Sequence, residues 1–89
     1  MKVLYDKSFS KSLDKIKDQK TKLALLKFIE NLKAASTLQE IKQIKKIKGF
    51  KSYYRYRLGD YRIGLELTKE NNILLIIVAK RNDIYKKFP

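Results

Sequence analysis

Residues 53–67 read YYRYRLGDYRIGLEL, and the reading of this stretch decides the fold. Period-two alternation runs on both sides of Gly59 and Asp60, which predicts strands over 53–58 and 61–67. A two-residue loop with glycine in its first position suits a type II′ turn, whose twist matches that of the strands it joins. Counting outward from the loop places Leu58 opposite Tyr61, Arg57 opposite Arg62, Tyr56 opposite Ile63, Arg55 opposite Gly64, Tyr54 opposite Leu65 and Tyr53 opposite Glu66. One face then carries Tyr54, Tyr56, Leu58, Tyr61, Ile63, Leu65 and Leu67, an apolar surface fit to receive helices. The other carries Tyr53, Arg55, Arg57, Arg62, Gly64 and Glu66.

Three of the chain's four arginines stand on that second face, whereas the eighteen lysines are scattered through the rest of the sequence. Like charges opposite each other across a ladder are destabilising, so packing alone does not select Arg57 facing Arg62 beside Arg55. An anion relieves the repulsion, and the planar guanidinium fork matches phosphate where lysine offers only a point charge. Gly64 opposite Arg55 is expected to leave a gap through which a ligand approaches closely. The face reads as a phosphate-binding floor. The competing reading is a row of solvated arginines partly neutralised by Glu66 and Asp60.

Upstream of the hairpin, STLQEIKQIKKIKGF pairs Thr37 and Glu40 at capping-box spacing, then repeats Ile41, Ile44 and Ile47 every third residue. This predicts a short helical turn running into an irregular, lysine-studded connection that Gly49 punctuates. Its charge run either tracks a phosphate backbone, with Lys48 and Lys51 as candidates beside Tyr53, or is a solvated face. Further upstream, Leu25, Leu26, Ile29 and Leu32 form an apolar stripe over 21–35. Phe9, Leu13 and Ile16 form another behind a Ser8 cap, and KVLYD is a short strand. Downstream, a turn over 69–72 leads into NILLIIVA, continuously apolar as a central strand covered on both faces is. The tail RNDIYKKFP leaves the sheet at Arg81. The expectation is an α+β fold in β-α-α-β-β-β order, a largely antiparallel sheet with a helical hairpin on one face.

Eighty-nine residues allow one domain, 1–89, which buries roughly 60% of its unfolded surface. With 44% hydrophobic residues, three glycines and one proline, there is material for a core. The net charge of +13 points to an acidic partner such as nucleic acid. The segment MKVLYDKSFSK lacks the apolar region of a signal peptide, and the longest apolar run is too short to span a bilayer as a helix. Without cysteine the chain suits a reducing compartment, so the cytoplasm is expected and no membrane partner.

Chemistry is narrowed by the absence of histidine and cysteine, which removes an imidazole base, a thiolate nucleophile and nitrogen or sulfur metal ligands. The nine carboxylates are dispersed and show no metal-loop spacing, so no metal or cofactor is expected. What remains is electrostatic stabilisation of a phosphorane by arginines, with tyrosine or lysine moving protons. RNA suits this best, because its own 2′-OH can be the nucleophile.

IKGFKSYYRYRLGDYRIGLEL and AKRNDIYKKFP together resemble the RelE/ParE superfamily of toxins from type II toxin–antitoxin systems, and most closely its RelE branch. The similarity covers essentially the whole chain. It implies an α+β fold with an RNA site on the sheet face opposite the helical hairpin. It implies ribosome-dependent endonucleolytic cleavage of mRNA in the A site, and neutralisation by a cognate RelB-like antitoxin with an acidic toxin-binding segment. Within the resemblance, Arg55 and Arg57 fall on a basic pair of the second strand and Arg62 on the arginine after the tyrosine. Arg81 falls on the arginine ending the last strand and Tyr85 on the carboxy-terminal tyrosine. These five are the candidate catalytic residues, with Lys48, Lys51, Tyr53 and Lys80 as RNA-binding candidates. Some RelE-type enzymes carry lysines at the positions of Arg55 and Arg57. Arginine does not lose its proton, so Arg55 suits a general base poorly and Tyr85, Lys51 or Lys80 inherits that role. The alternatives are a ParE-like inhibitor of DNA gyrase and a non-catalytic ribosome-binding or RNA-binding module.

Overall fold

The structure, a computed structural model, describes residues 1–89. Strand β1 (Val3–Tyr5) leads into helices α1 (Lys7–Asp14) and α2 (Gln19–Ala34), then a single 3₁₀ turn, Leu38–Glu40. Strands β2 (Ile44–Lys46), β3 (Tyr53–Leu58), β4 (Tyr61–Leu67) and β5 (Ile73–Lys80) follow, and helix α3 (Arg81–Lys87) closes the order. The five strands form one mixed sheet ordered β1-β5-β4-β3-β2, with β1 parallel to β5 and every other pairing antiparallel. No helix is long and apolar enough to cross a membrane.

The β3–β4 register is the one read from the sequence, from Leu58 opposite Tyr61 to Tyr53 opposite Glu66. Gly59 has φ 57° and Asp60 has no positive φ, the combination a type II′ turn requires. The apolar face of this hairpin supplies Ile63 and Leu65 to the main core and packs Tyr54, Tyr56, Leu58, Tyr61 and Leu67 around it. From the helices come Phe9, Leu25, Phe28, Ile29 and Leu32, and from the link between them Ile16. In α2 the buried set is Leu25, Phe28, Ile29 and Leu32, spaced i, i+3, i+4, i+7; Leu26, expected in the stripe, is 58% exposed with Leu23 beside it on the outer face. Phe28 takes the inward place and stacks on Tyr56 with centroids 3.8 Å apart. Burial beneath α2 pushes the Tyr56 phenol pKa up.

Two segments differ from the sequence expectation. Residues 44–46 are a strand, where an irregular connection was expected, because Ile44, Lys45 and Lys46 pair with Tyr56, Arg55 and Tyr54 and give β3 its outer neighbour. The 81–87 tail leaves the sheet as a helix that folds back, and Ile84 and Phe88 build a second small core with Ile47 against Tyr53, Ile76, Ile77 and Ala79. That covers the second face of β5, as its unbroken apolar run requires. The β4–β5 ladder carries a bulge, with Gly64 opposite Ile77 but Leu65 opposite Leu75. Helix α1 is sewn onto it: the Ser8 hydroxyl donates to the Ile76 carbonyl, and Ser12 Oγ accepts from the Val78 N–H at 3.1 Å.

Both long helices start on aspartate. Asp6, two residues before the expected Ser8 cap, accepts from the Ser8 N–H at 3.0 Å, and Asp18 accepts from the Lys20 N–H and the Thr21 hydroxyl at 3.1 and 2.7 Å. The Ser8 side-chain and backbone hydrogen bonds hold the Asp6 carboxyl below its ordinary value, and the Thr21 hydroxyl does the same for Asp18. Lowered folded-state pKa values mean stability that is complete above the ordinary carboxylate range and lost as pH falls below about 4. Melting curves between neutral pH and pH 2 are expected to show this loss. The Asp6→Asn/Asp18→Asn variant, which keeps capping oxygens without titrating them, should show a flatter acid limb; an acid limb as steep as the parent's would assign the loss elsewhere.

Candidate functional site

The second face of the hairpin, with β2 and α3 at its margins, encloses an open basin of about 440 Å³ lined by Gln43, Lys45, Arg55, Arg57, Arg62, Arg81 and Tyr85. The ladder explains the concentration of charge. Lys45 lies opposite Arg55 on β2, and Arg57 lies opposite Arg62 on β4, so two like-charged cross-strand pairs sit two residues apart on β3. Arg81 arrives from the β5–α3 junction, where its N–H donates to the Asp60 carbonyl at 2.9 Å and ties α3 to the hairpin turn.

No carboxylate lines the basin. Glu66 turns to the Ser52 hydroxyl at 3.1 Å, and the protein's ion pair is a distant one, Glu30 with Lys33 at 3.8 Å. The neutralised-arginine reading of this face is therefore not what the geometry contains. Five cations converge with none of their charge cancelled, which raises the local positive potential and favours a multiply charged anion. Arg62 is partly fixed in advance: Nη1 donates to the carbonyls of Gly59 and Tyr61 at 2.8 and 2.9 Å, leaving Nε and Nη2 for a ligand.

Tyr85 stands at the α3 wall, 55% exposed, with the Arg55 guanidinium carbon 4.6 Å from its ring centroid. Arg81 at the phenol oxygen, with Arg55 and Arg62 nearby, lowers its pKa from the ordinary tyrosine value. The anchors of α3 are Ile84 and Phe88, both buried, so Tyr85 is spared from packing. The five catalytic candidates thus share one basin. The remaining four do not join them. Tyr53 is held edge-on between Phe50 and Phe88, at 5.6 and 5.4 Å. Lys48 and Lys51 are exposed on the β2–β3 connection. Lys80 faces a separate groove beside Lys11, Lys15, Tyr61 and Lys87. As candidate bases, Lys51 and Lys80 are outside the basin, and Tyr85 is inside it.

Gly64 does not leave the expected gap. The Phe88 ring fills it, and a Cβ on Gly64 would lie 2.6 Å from that ring. Gln43 and Lys45 line the basin without having been singled out in the sequence, because their segment was read as irregular; the alternation Lys45, Ile44 opposite Arg55, Tyr56 is the signal that could have revealed them. No three His, Cys, Asp or Glu side chains come together as a metal site would need.

A helical hairpin on one face of a five-stranded mixed sheet, and a cation basin on the other, define a small α+β protein of RelE-like architecture. Residues 3–85 match the family described as ParE toxin of type II toxin–antitoxin system, parDE. Toxin RelE3 of Methanocaldococcus jannaschii is 41% identical over 90 residues, spanning 100% of both chains. A RelB–RelE antitoxin–toxin complex from Methanococcus jannaschii superposes with TM-score 0.83 at 35% identity, covering 97% of this chain and 99% of that one. An archaeal RelE–RelB complex from Pyrococcus horikoshii gives TM-score 0.73 at 25% identity, over 90% and 93%. The chain belongs to the RelE/ParE superfamily of toxins from type II toxin–antitoxin systems, on its RelE branch.

Proposed function

We propose that this toxin is a metal-independent, ribosome-dependent mRNA endoribonuclease acting in the cytoplasm, and that a RelB-like antitoxin silences it. The observation that carries the reading is the convergence of Arg55, Arg57, Arg62, Arg81 and Tyr85 on a single carboxylate-free basin. The mRNA 2′-oxygen attacks the adjacent phosphorus, the bond to the 5′-oxygen breaks, and a cyclic phosphate and a 5′-hydroxyl result. The arginines neutralise the non-bridging oxygens as charge builds on them. Tyr85, with its hydroxyl acidified by Arg81, takes the 2′-OH proton, and water returns one to the 5′-oxygen. The ribosome holds the message in line.

Structures of RelB with RelE support a RelB-like partner, and the +13 charge favours one whose toxin-contacting segment is acidic. A gyrase-inhibiting role is favoured by the description of the matching family, ParE, and requires no acidified tyrosine. A non-catalytic RNA-binding module needs the arginines alone.

Single-turnover cleavage of mRNA on programmed ribosomes separates the three. The parent should cut within the A-site codon, at a rate that rises with pH and levels off below the ordinary tyrosine pKa of about 10. Tyr85→Phe should cut slowly and lose the rise, whereas Arg81→Ala should move the levelling-off to higher pH. Uncut message, with gyrase inhibited instead, would replace this reading by the second. A Tyr85→Phe variant as fast as the parent at every pH would leave the arginines in place and remove the phenol from the chemistry.

A further inference from the structure

Gln43 is the one residue lining the arginine basin that is neither a cation nor a phenol. Its backbone has φ 69°, a left-handed conformation that glycine takes freely and glutamine only at an energetic cost. The residue is nevertheless firmly placed. Its carbonyl accepts from the Arg57 N–H at 3.2 Å, continuing the β2–β3 pairing one step beyond Ile44 opposite Tyr56. It stands exposed on the rim where the basin meets a second groove bordered by Asn31, Glu40 and Tyr56.

The five cations bind a phosphate whatever base is attached to it, because backbone contacts position a strand and carry no sequence information. A carboxamide differs in kind. It presents a donor and an acceptor side by side, which matches the N6–H and N7 edge of adenine, whereas Lys45 and the arginines can only donate. Unstacked single-stranded RNA offers that edge to a side chain next to a bound phosphate.

We propose that Gln43 is the base-reading residue of the basin, selecting adenine in the strand whose phosphate lies on the arginine floor. The inference rests on the RNA-directed function proposed above. It assigns sequence preference to the rim and strength of binding to the floor.

The test is fluorescence anisotropy with end-labelled 2′-O-methyl hexanucleotides of adenine, uracil or cytosine, which lack the attacking hydroxyl and cannot be cut. The parent should bind the adenine strand about tenfold more tightly than the uracil strand. Gln43→Gly accepts the same backbone without strain, so its melting temperature should equal or exceed the parent's. Its preference should fall to about one with an unchanged salt dependence. Gln43→Glu, which only accepts, should turn the preference toward cytosine. A Gln43→Gly variant with the parent's ratio overturns the proposal, and so does a parent that shows no preference. Failure of the parent to bind any of the three strands at low salt also overturns the reading role, and leaves the ribosome-dependent function to stand or fall by the cleavage assay on programmed ribosomes.

Discussion

Arg62→Ala is expected to remove toxicity on induction and to slow single-turnover cleavage by roughly 10²–10³-fold, the usual loss when one fixed donor to a developing oxyanion is deleted. Arg62 is chosen because its guanidinium is already oriented: Nη1 is bound to the Gly59 and Tyr61 carbonyls, so the rest of the fork meets a phosphate without first being ordered. Two hydrogen bonds to the turn are lost with it, and the repulsion from Arg57 directly opposite is lost too. These changes oppose each other. The melting temperature should therefore move by less than roughly 5 °C, the shift that about 1 kcal/mol produces in a chain of this size. Arg62→Lys keeps the charge and loses the fork, and should fall between the two. A fall in melting temperature of more than roughly 10 °C for Arg62→Ala would identify the residue as a structural clamp on the hairpin turn.

The largest structural effect is expected at Gly64. A methyl group there lies 2.6–2.8 Å from three atoms of the Phe88 ring, which is buried against Ile84, Ile47 and Tyr53. Overpacking of this kind costs roughly 1–3 kcal/mol. The strain falls on the contact that seats α3. Gly64→Ala should thus lower the melting temperature and, by displacing α3, also withdraw Arg81 and Tyr85 from the basin. A double-mutant cycle isolates the cause. In a Phe88→Ala background the added methyl should cost almost nothing, because the ring it meets is gone. Equal costs in the two backgrounds would mean that Gly64 is required for some reason other than the ring above it.

How much of this was legible in the sequence depended on how local the determinants were. The β3–β4 register follows from one two-residue turn and a period of two, and it fixed the placement of Arg55, Arg57 and Arg62 with no knowledge of the rest of the chain. The helical hairpin was visible for the same reason, although the stripe was drawn through Leu26, which is exposed, and missed Phe28, which takes the inward place. What escaped was decided at long range. Ile44–Lys46 has too few residues to declare itself a strand, and becomes one because β3 has an open edge. Tyr53 and Gly64 looked available to a ligand until Phe88, more than twenty residues away, folded over them. Arg81 and Lys80 are neighbours in sequence, yet the strand-to-helix junction sends one into the basin and the other into a different groove. Tyr85 was identifiable only through the family resemblance, since nothing in RNDIYKKFP announces that the helix turns back.

The parallel pairing of β1 with β5 bears on how the chain reaches this structure. Strands β2 to β5 meet their neighbours across short connections, whereas Val3 finds Ile73 only after almost the whole chain has been traversed. Local closures lose little chain entropy and form early; the β1–β5 closure loses the most and comes late. The arginine floor is therefore expected to take shape on a meander whose last strand still lacks its outer neighbour. Repulsion between Arg57 and Arg62 acts on that early meander, before docking of β1 has completed the sheet. The groups that would hold an anion should thus slow folding, an effect expected to shrink with dissolved salt or with an acidic partner arriving during folding.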